Sequence, residues 1–184
     1  MFEEYLRDTA HFLEEGRRAT RDGDEEAAKR SYRVTVMIGG AAMETFVNYI
    51  ASTFNSPASR RLEPYELALL LDKRFGQQDG RFSIQDRPSY SRLEDKLRFL
   101  VDRFSVDLDL GTSSEWSQFL EFKRLRDSLV HARADEDDRS VDQYDAACIR
   151  GVCATFALMN RLSEGIFKRP LRAKLHDLVD FAEA

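Results

Sequence analysis

Three residues in the second half of the sequence combine a fixed cation, a carboxylate and a group that titrates near neutral pH. Arg126 is followed directly by Asp127, and His131 comes five residues after the arginine. Imidazole exchanges a proton near pH 7, whereas guanidinium stays charged and can hold a phosphate group. This set suits RNA cleavage without a metal ion, in which the 2′-hydroxyl attacks the adjacent phosphorus and the 5′-oxygen leaves.

Two polar residues next to the arginine have supporting roles in this hypothesis. Asp127 stands four residues before His131. Side chains at this spacing meet on one helix face, so we expect the carboxylate to hydrogen-bond the imidazole and favour its protonated form. Ser128 would add a further contact to the phosphate.

These residues end a stretch whose apolar positions recur at helical spacing. Thr112 and Glu115 have the spacing of a capping box, which predicts that a helix begins there. The apolar positions of the helix are Trp116, Phe119, Leu120, Phe122, Leu125, Leu129 and Val130. Arg126 falls within this apolar arc, where a guanidinium needs an anion, a partner chain or a bound phosphate.

Residues 126–131 read RDSLVH, and this arginine and histidine late in an apolar helix resemble the motif of the HEPN domain family. Residues 42–48, AMETFVN, are similar to the Glu-rich early helix of several prokaryotic HEPN groups. HEPN domains are small all-helical units, and many are metal-independent ribonucleases of toxin–antitoxin and phage-defence systems. The resemblance implies that Arg126 and His131 are catalytic, and it adds Glu44 as a supporting residue.

HEPN nucleases are typically dimers whose motifs face each other, so the resemblance also implies a homodimer, with RNA as substrate and an antitoxin protein as a further partner. Helix geometry agrees, because residues five apart point about 140° apart and converge poorly within one chain. HEPN proteins paired with nucleotidyltransferase antitoxins often carry Tyr two residues after the histidine. This chain has Arg133 there, so the resemblance does not extend to that subgroup.

A non-catalytic interpretation explains the same residues. Arg126 would be buried and paired with Glu44 or another acid of the long second helix. His131 would be an ordinary helix-end histidine, since the helix dipole favours a cation there. The chain would then be a helical module that dimerises or binds a partner or nucleotide.

Composition sets wider bounds. With 184 residues, 42% of them hydrophobic and 33% charged, we expect a single domain over residues 1–184. The net charge of −5 argues against a broad nucleic-acid-binding scaffold, although less against a nuclease with a local basic patch. We expect no metal, no cofactor and no membrane segment, two reduced cysteines and a cytoplasmic location.

The whole chain predicts an all-α fold, a HEPN-like bundle with two long helices and several shorter ones. Periodicity places the helices at residues 2–22, 25–54, 65–74, 91–104, 112–133, 141–167 and 170–181. Residues 76–91 form the one extended loop, with cations and rings that could clamp single-stranded RNA. We favour the alternative that its rings pin the loop to the core.

Overall fold

The computed structural model describes residues 1–55, 61–78, 80–131 and 138–180. Their elements in chain order are α1 (Phe2–Arg21), α2 (Glu25–Phe54), α3 (Pro64–Leu70), β1 (Lys73–Gln78), β2 (Arg81–Pro88), α4 (Leu93–Phe104), α5 (Ser114–Val130), α6 (Val141–Phe167) and α7 (Ala173–Asp180). Helices dominate, so the all-α prediction is confirmed. The two long helices, of 30 and 27 residues, lie at the predicted positions.

Several helix ends follow the local chemistry of the sequence. Gly23 adopts a left-handed conformation with φ of 77°, which ends α1 at little steric cost. The Asp24 carboxylate then accepts a hydrogen bond of 2.9 Å from the Ala27 N–H and caps α2. Ser140 and Gln143 form a capping box at the start of α6.

The predicted capping box of α5 and the predicted start of α4 are both wrong. The residue that caps α5 is Ser113, whose hydroxyl accepts from the Trp116 N–H, so the helix begins one residue later than Thr112 suggested. Helix α4 begins after Arg92, with no side-chain cap, rather than at Ser91. In both cases a neighbouring residue takes the cap position, because short polar runs offer several cap residues.

Residues 76–91 are wrongly predicted as a loop. β1 and β2 pair antiparallel as a hairpin, and the helix predicted to reach Arg74 ends at Leu70. Asp72 leaves the helical region with φ of 54°, which turns the chain into β1. The sequence pair Asp79-Gly80 is a known hairpin-turn sequence and was the available signal, but the flanking residues include few with high β-propensity.

Residue contacts divide the chain into two compact units. The first contains Met1–Met43 and Val106–Ala184, and the second contains Glu44–Ser105. Helix α2 therefore contributes residues to both. The single-domain expectation for residues 1–184 stays a prediction.

The core of the first unit forms where α5 and α6 meet α1 and α2. Its buried side chains include Leu13, Ala28, Tyr32, Val36, Phe122, Leu125, Tyr144, Cys148 and Val152. The Tyr32 hydroxyl lies 3.0 Å from the Asp145 carboxylate, to which it donates, and 3.1 Å from the Thr20 hydroxyl. Burial is the main reason that the pKa of Tyr32 rises to about 12.

Helix α2 has an unexpected property. By length and composition alone it could cross a membrane, although half of its apolar window is buried. A core helix of a soluble protein passes the same test, and Tyr32, Val36 and Phe46 of α2 are fully buried. The expectation of no membrane partner stays a prediction.

Two glycines on different helices make room for one ring of α5. A Cβ at Gly39 of α2 would lie 2.8 Å from the Phe122 ring, and a Cβ at Gly151 of α6 would overlap that ring. Three helices therefore approach closely at Phe122.

We expect Gly151→Ala to lower the free energy of unfolding by about 1–3 kcal/mol, because the added methyl overpacks the core against Phe122. The better helix propensity of alanine offsets only part of this. Gly40→Ala is the matched control, since its Cβ would lie 3.4 Å from Arg126 Cγ, an ordinary contact. Urea unfolding of both variants measures the effect. Equal stability of the two would contradict the packing argument.

Candidate functional site

A contact at the start of α5 and the burial of its apolar residues determine where its polar residues lie. At its start, Glu115 accepts a hydrogen bond of 3.2 Å from Arg161 of α6. Hydrogen bonds from its own backbone N–H and from Ser113 are the main reasons that the pKa of Glu115 falls to about 2. Along the helix Trp116, Phe119, Phe122 and Leu125 are buried. The polar residues of α5 therefore lie on the side of the helix away from these four side chains.

Arg126 is partly buried, with 29% of its side chain exposed. Its aliphatic part lies against Gly40 of α2, where a Cβ would be 3.4 Å from Arg126 Cγ. Its Nη1 donates to the Asp127 carboxylate at 3.2 Å. Of the three predicted alternatives for Arg126, an anion, a partner chain or a bound phosphate, the structure provides an anion in the residue directly after it.

The structure places Glu44 in the second unit. Glu44 is exposed and borders a cavity of about 290 Å³ there, beside the buried amine of Lys96. Its pairing with Arg126 and its supporting role in catalysis stay predictions.

Asp127 does not hold the histidine. Its carboxylate accepts from Lys123 Nζ at 2.6 Å and from Arg126, and no hydrogen bond joins it to the His131 imidazole within the described part of the chain. Partial burial raises the pKa of Asp127, but the hydrogen bonds from the two cations outweigh this and lower the pKa overall. The predicted Asp127–His131 hydrogen bond is wrong because Lys123 lies four residues away in the opposite direction and carries a full charge.

His131 is the residue at which α5 ends. Its backbone N–H donates to the Asp127 carbonyl at 3.1 Å, while the residue is exposed. Among the described residues the imidazole makes no hydrogen bond or ion pair. Both ring nitrogens are thus accessible to a proton donor or acceptor from outside the chain.

Ser128 and His131 share a helix edge with a cation that the sequence analysis missed. Arg124, Ser128 and His131 follow the spacing i, i+4, i+7, which places the three within about 60° of each other on a helix. The Ser128 hydroxyl donates to the Leu125 carbonyl at 2.7 Å, so it must turn away from its own helix to contact a phosphate. Arg126 lies on another side of α5.

A cleft of about 440 Å³ adjoins this edge of α5. Arg124 and Ser128 line it from α5, Arg150 lines it from α6, and Arg139 lines it from the segment just before α6. Glu121 is the acid on the same wall. Arg124 and Arg150 make no ion pair with any described residue, so the cleft carries a surplus of positive charge.

Sequence reasoning missed this cleft for a physical reason. Arg139 and Arg150 stand 15 and 26 residues after Arg124 in the sequence, and no spacing rule connects the three cations. Only the packing of α6 on α5 brings them to one opening. The spacing of Arg124, Ser128 and His131 along one helix was the single signal available.

Metal ligands do not cluster in the described ranges. No group of three or more His, Cys, Asp or Glu side chains in residues 1–55, 61–78, 80–131 and 138–180 is placed to hold a metal ion. The acidic turn at residues 134–138 falls outside those ranges apart from Asp138, as does Arg133.

Comparison with known proteins adds no assignment. No protein-family model matches the chain, and no curated protein and no solved structure matches it. The candidate functional site consists of α5 and the cleft beside it. That site combines an exposed imidazole, a partly buried guanidinium and a set of arginines from two further segments of the first unit.

The ion pairs of Asp127 predict a pH-dependent contribution to stability. Because its folded pKa lies below the ordinary value of about 3.9, the stabilisation is present above that pH and is lost as pH falls through the lowered pKa. We expect Asp127→Asn to cost less than about 1 kcal/mol at pH 7, since the pairs are partly exposed. The difference from the parent should shrink as pH falls below about 4.

Urea unfolding between pH 3 and pH 7 measures this difference. Asp8→Asn is the control, because Asp8 is an exposed carboxylate of α1 that makes no ion pair among the described residues. A difference between the parent and Asp127→Asn that stays constant down to pH 3 would contradict the assigned ion pairs.

Proposed function

We propose that this chain is a metal-independent endoribonuclease of the HEPN type, acting as the toxin of a toxin–antitoxin or phage-defence system. The observation that carries the proposal is the exposed imidazole of His131, which lies on the same helix edge as Arg124 and Ser128 beside an arginine-lined cleft. A titratable group next to several fixed cations suits proton transfer at a phosphodiester.

The chemistry assigns one role to each residue. His131 takes the proton from the 2′-hydroxyl or gives one to the departing 5′-oxygen. Arg126 neutralises the charge that builds on the phosphoryl oxygens. Asp127 keeps the Arg126 guanidinium in place through its hydrogen bond, so it is a positioning residue rather than a catalytic one.

The cleft gives the polyanionic substrate a path. Arg124, Arg139 and Arg150 would each meet a phosphate of the bound strand. Guanidinium groups bind phosphate oxygens through paired N–H groups, so three of them provide both affinity and register. A local surplus of cations is what a protein of net charge −5 needs to bind RNA at one place.

The same proposal includes a homodimer, with its contact at the exposed end of α5. Phe119, Phe122 and Leu125 are buried within the first unit and are not available to a partner. Val130 is 46% exposed and directly precedes His131. A two-fold contact at Val130 brings the ends of two α5 helices together, and two chains can then pool Arg126 and His131 in one site.

The alternative is a non-catalytic module that dimerises or binds a partner or nucleotide through the same groove. The packing of Arg126 on Gly40 and its hydrogen bond to Asp127 favour it, because both are also ordinary structural contacts. Cleavage of RNA by the purified chain separates the two functions.

We expect the purified protein to cut mixed RNA in excess EDTA and to leave a 2′,3′-cyclic phosphate or its hydrolysis product. His131→Ala and Arg126→Ala should each lower the cleavage rate at least about a hundredfold, the lower end of the contribution of acid–base catalysis. Gel analysis of labelled RNA measures the rates, and circular dichroism checks that the helices persist.

His11→Ala is the matched control, since His11 is an exposed histidine of α1 and should not affect cleavage. Arg150→Ala should raise KM more than it lowers kcat, because it removes binding of a phosphate away from the reacting bond. Parental rates in both the His131 and Arg126 variants would refute the assignment. A requirement for Mg²⁺ or Mn²⁺ would refute the metal-independent mechanism.

We expect light scattering to report about twice the 21.3 kDa chain mass. Val130→Asp should yield monomers, since two facing carboxylates at a two-fold contact repel each other and lose their water. Met37→Asp is a control at another exposed apolar residue. If parental protein at micromolar concentration is monomeric and still cuts RNA, the dimer is excluded while the catalytic residues stand.

A further inference from the structure

Large aromatic rings are exposed on the hairpin of the second unit and on α3. Phe82 is 70% exposed, Tyr65 is 57% exposed and Tyr90, just after β2, is 87% exposed. The favoured expectation for residues 76–91, that their rings pin the segment to the core, is wrong for Phe82 and Tyr90. Exposed rings grouped in one segment mark a binding surface more often than isolated ones do.

Three of the rings form a continuous series. The Tyr65 and Phe75 rings meet edge to face with centroids 6.2 Å apart, and the Phe75 and Phe82 rings stack at 5.9 Å with an interplanar angle of 18°. Strand register explains this, because Phe75 pairs with Ile84 and Gln77 pairs with Phe82, which places these side chains on one face of the hairpin. We call Tyr65, Phe75 and Phe82 the ring series.

The same segment is basic within an acidic chain. Residues 73–92 contain five Lys or Arg and two Asp, while the chain carries a net charge of −5. Lys73 pairs with Asp86 at 2.8 Å. Arg74 and Arg81 lie on the hairpin face opposite the ring series, and with Arg87 they make no ion pair to a described residue. The guanidinium charges of these three arginines are therefore available to a bound anion.

Asp72 holds both ends of the hairpin in place. Its backbone carbonyl accepts from the Ser89 N–H at 2.8 Å, and its carboxylate accepts from the Ser91 N–H at 2.9 Å. The buried amine of Lys96 donates to the same carboxylate at 2.6 Å and to the Leu70 carbonyl at 3.1 Å. The start of β1 and the end of β2 are therefore tied to α3 and α4, and the rings are presented by a supported scaffold.

We propose that this hairpin binds single-stranded RNA, with unpaired bases stacked on the ring series. The sugar–phosphate backbone would run along the hairpin edge, where the long side chains of Arg74, Arg81 and Arg87 reach it from the opposite face. Exposed aromatic faces with nearby cations are what sequence-tolerant single-strand binding uses, since every base has a face that can stack. The basic charge favours a polyanion over an apolar protein partner. The choice of RNA rests on the proposed function, whereas the hairpin surface is separate from His131.

Fluorescence anisotropy of a labelled oligo(U) strand tests this binding. The titrations use the full chain carrying His131→Ala, so that the strand stays intact. Phe82→Leu keeps an apolar side chain but removes the ring, and it should weaken binding about tenfold. Tyr49→Leu is the matched control, because it removes a ring that is 38% exposed on α2, and it should leave binding unchanged.

Charge is tested separately. Arg74→Ala with Arg81→Ala should weaken binding and make its salt dependence shallower, because fewer counterions are released. Arg30→Ala removes an exposed arginine of α2 that pairs with Glu26, and it should leave the salt dependence unchanged. An RNA duplex of equal length should bind more weakly than the single strand, since its bases cannot reach the rings.

Three results would overturn the inference. If Phe82→Leu binds oligo(U) as tightly as the parent does, the bases do not stack on the ring series. Equal affinity for duplex and single strand would exclude stacking. A shift from dimer to monomer in Phe82→Leu would make the rings a contact between two copies. If the parent binds RNA without cutting it, the hairpin site is supported and the nuclease is refuted. If the parent cuts RNA but Phe82→Leu binds with unchanged affinity, the nuclease is supported and the hairpin site is refuted.

Discussion

The Phe122 ring lies against Gly39 of α2 and Gly151 of α6, and the orientation of α5 depends on this contact. A helix with a bulky ring on one side can pack closely on two neighbours only where those neighbours lack side chains. The contact determines which residues of α5 face inward. It also places Arg126 over Gly40 and leaves Arg124, Ser128 and His131 on an outer edge.

Electrostatics within α5 follow from that orientation. Asp127 lies between Lys123 and Arg126 and accepts hydrogen bonds from both, so one carboxylate organises two cations. With Asp127 engaged there, His131 keeps its imidazole accessible. The positive cleft forms from arginines of separate elements, so an acidic chain can still present a surface that suits a phosphate backbone.

The second unit contains a hairpin that has little core of its own. A two-stranded hairpin is marginally stable alone, because it has little surface to bury. Here Asp72 and Lys96 replace part of the missing core with hydrogen bonds at the open end of the hairpin. Rings can then stay on the surface and be available for binding.

Local chemistry in the sequence determined most of the secondary structure. Apolar periodicity identified the long helices and the break between α1 and α2. These features depend on residues within a few positions of each other, so they can be read from one segment. The hairpin was missed because its strands have few strongly β-forming residues and because hydrogen bonds to Asp72 hold its ends, which no local pattern reveals.

The same distinction between local pattern and tertiary contact applies to the candidate site. The sequence by itself determined that a cation, a carboxylate and a histidine share one helix, and that Arg126 needs an anion, a partner chain or a bound phosphate. Only the tertiary structure decided that Asp127 is one such anion, that Asp127 turns to Lys123 instead of His131, and that Arg139 and Arg150 join Arg124 at one cleft. Competition between nearby charges and the packing of α6 on α5 depend on distances through space, and spacing along the chain does not contain those distances.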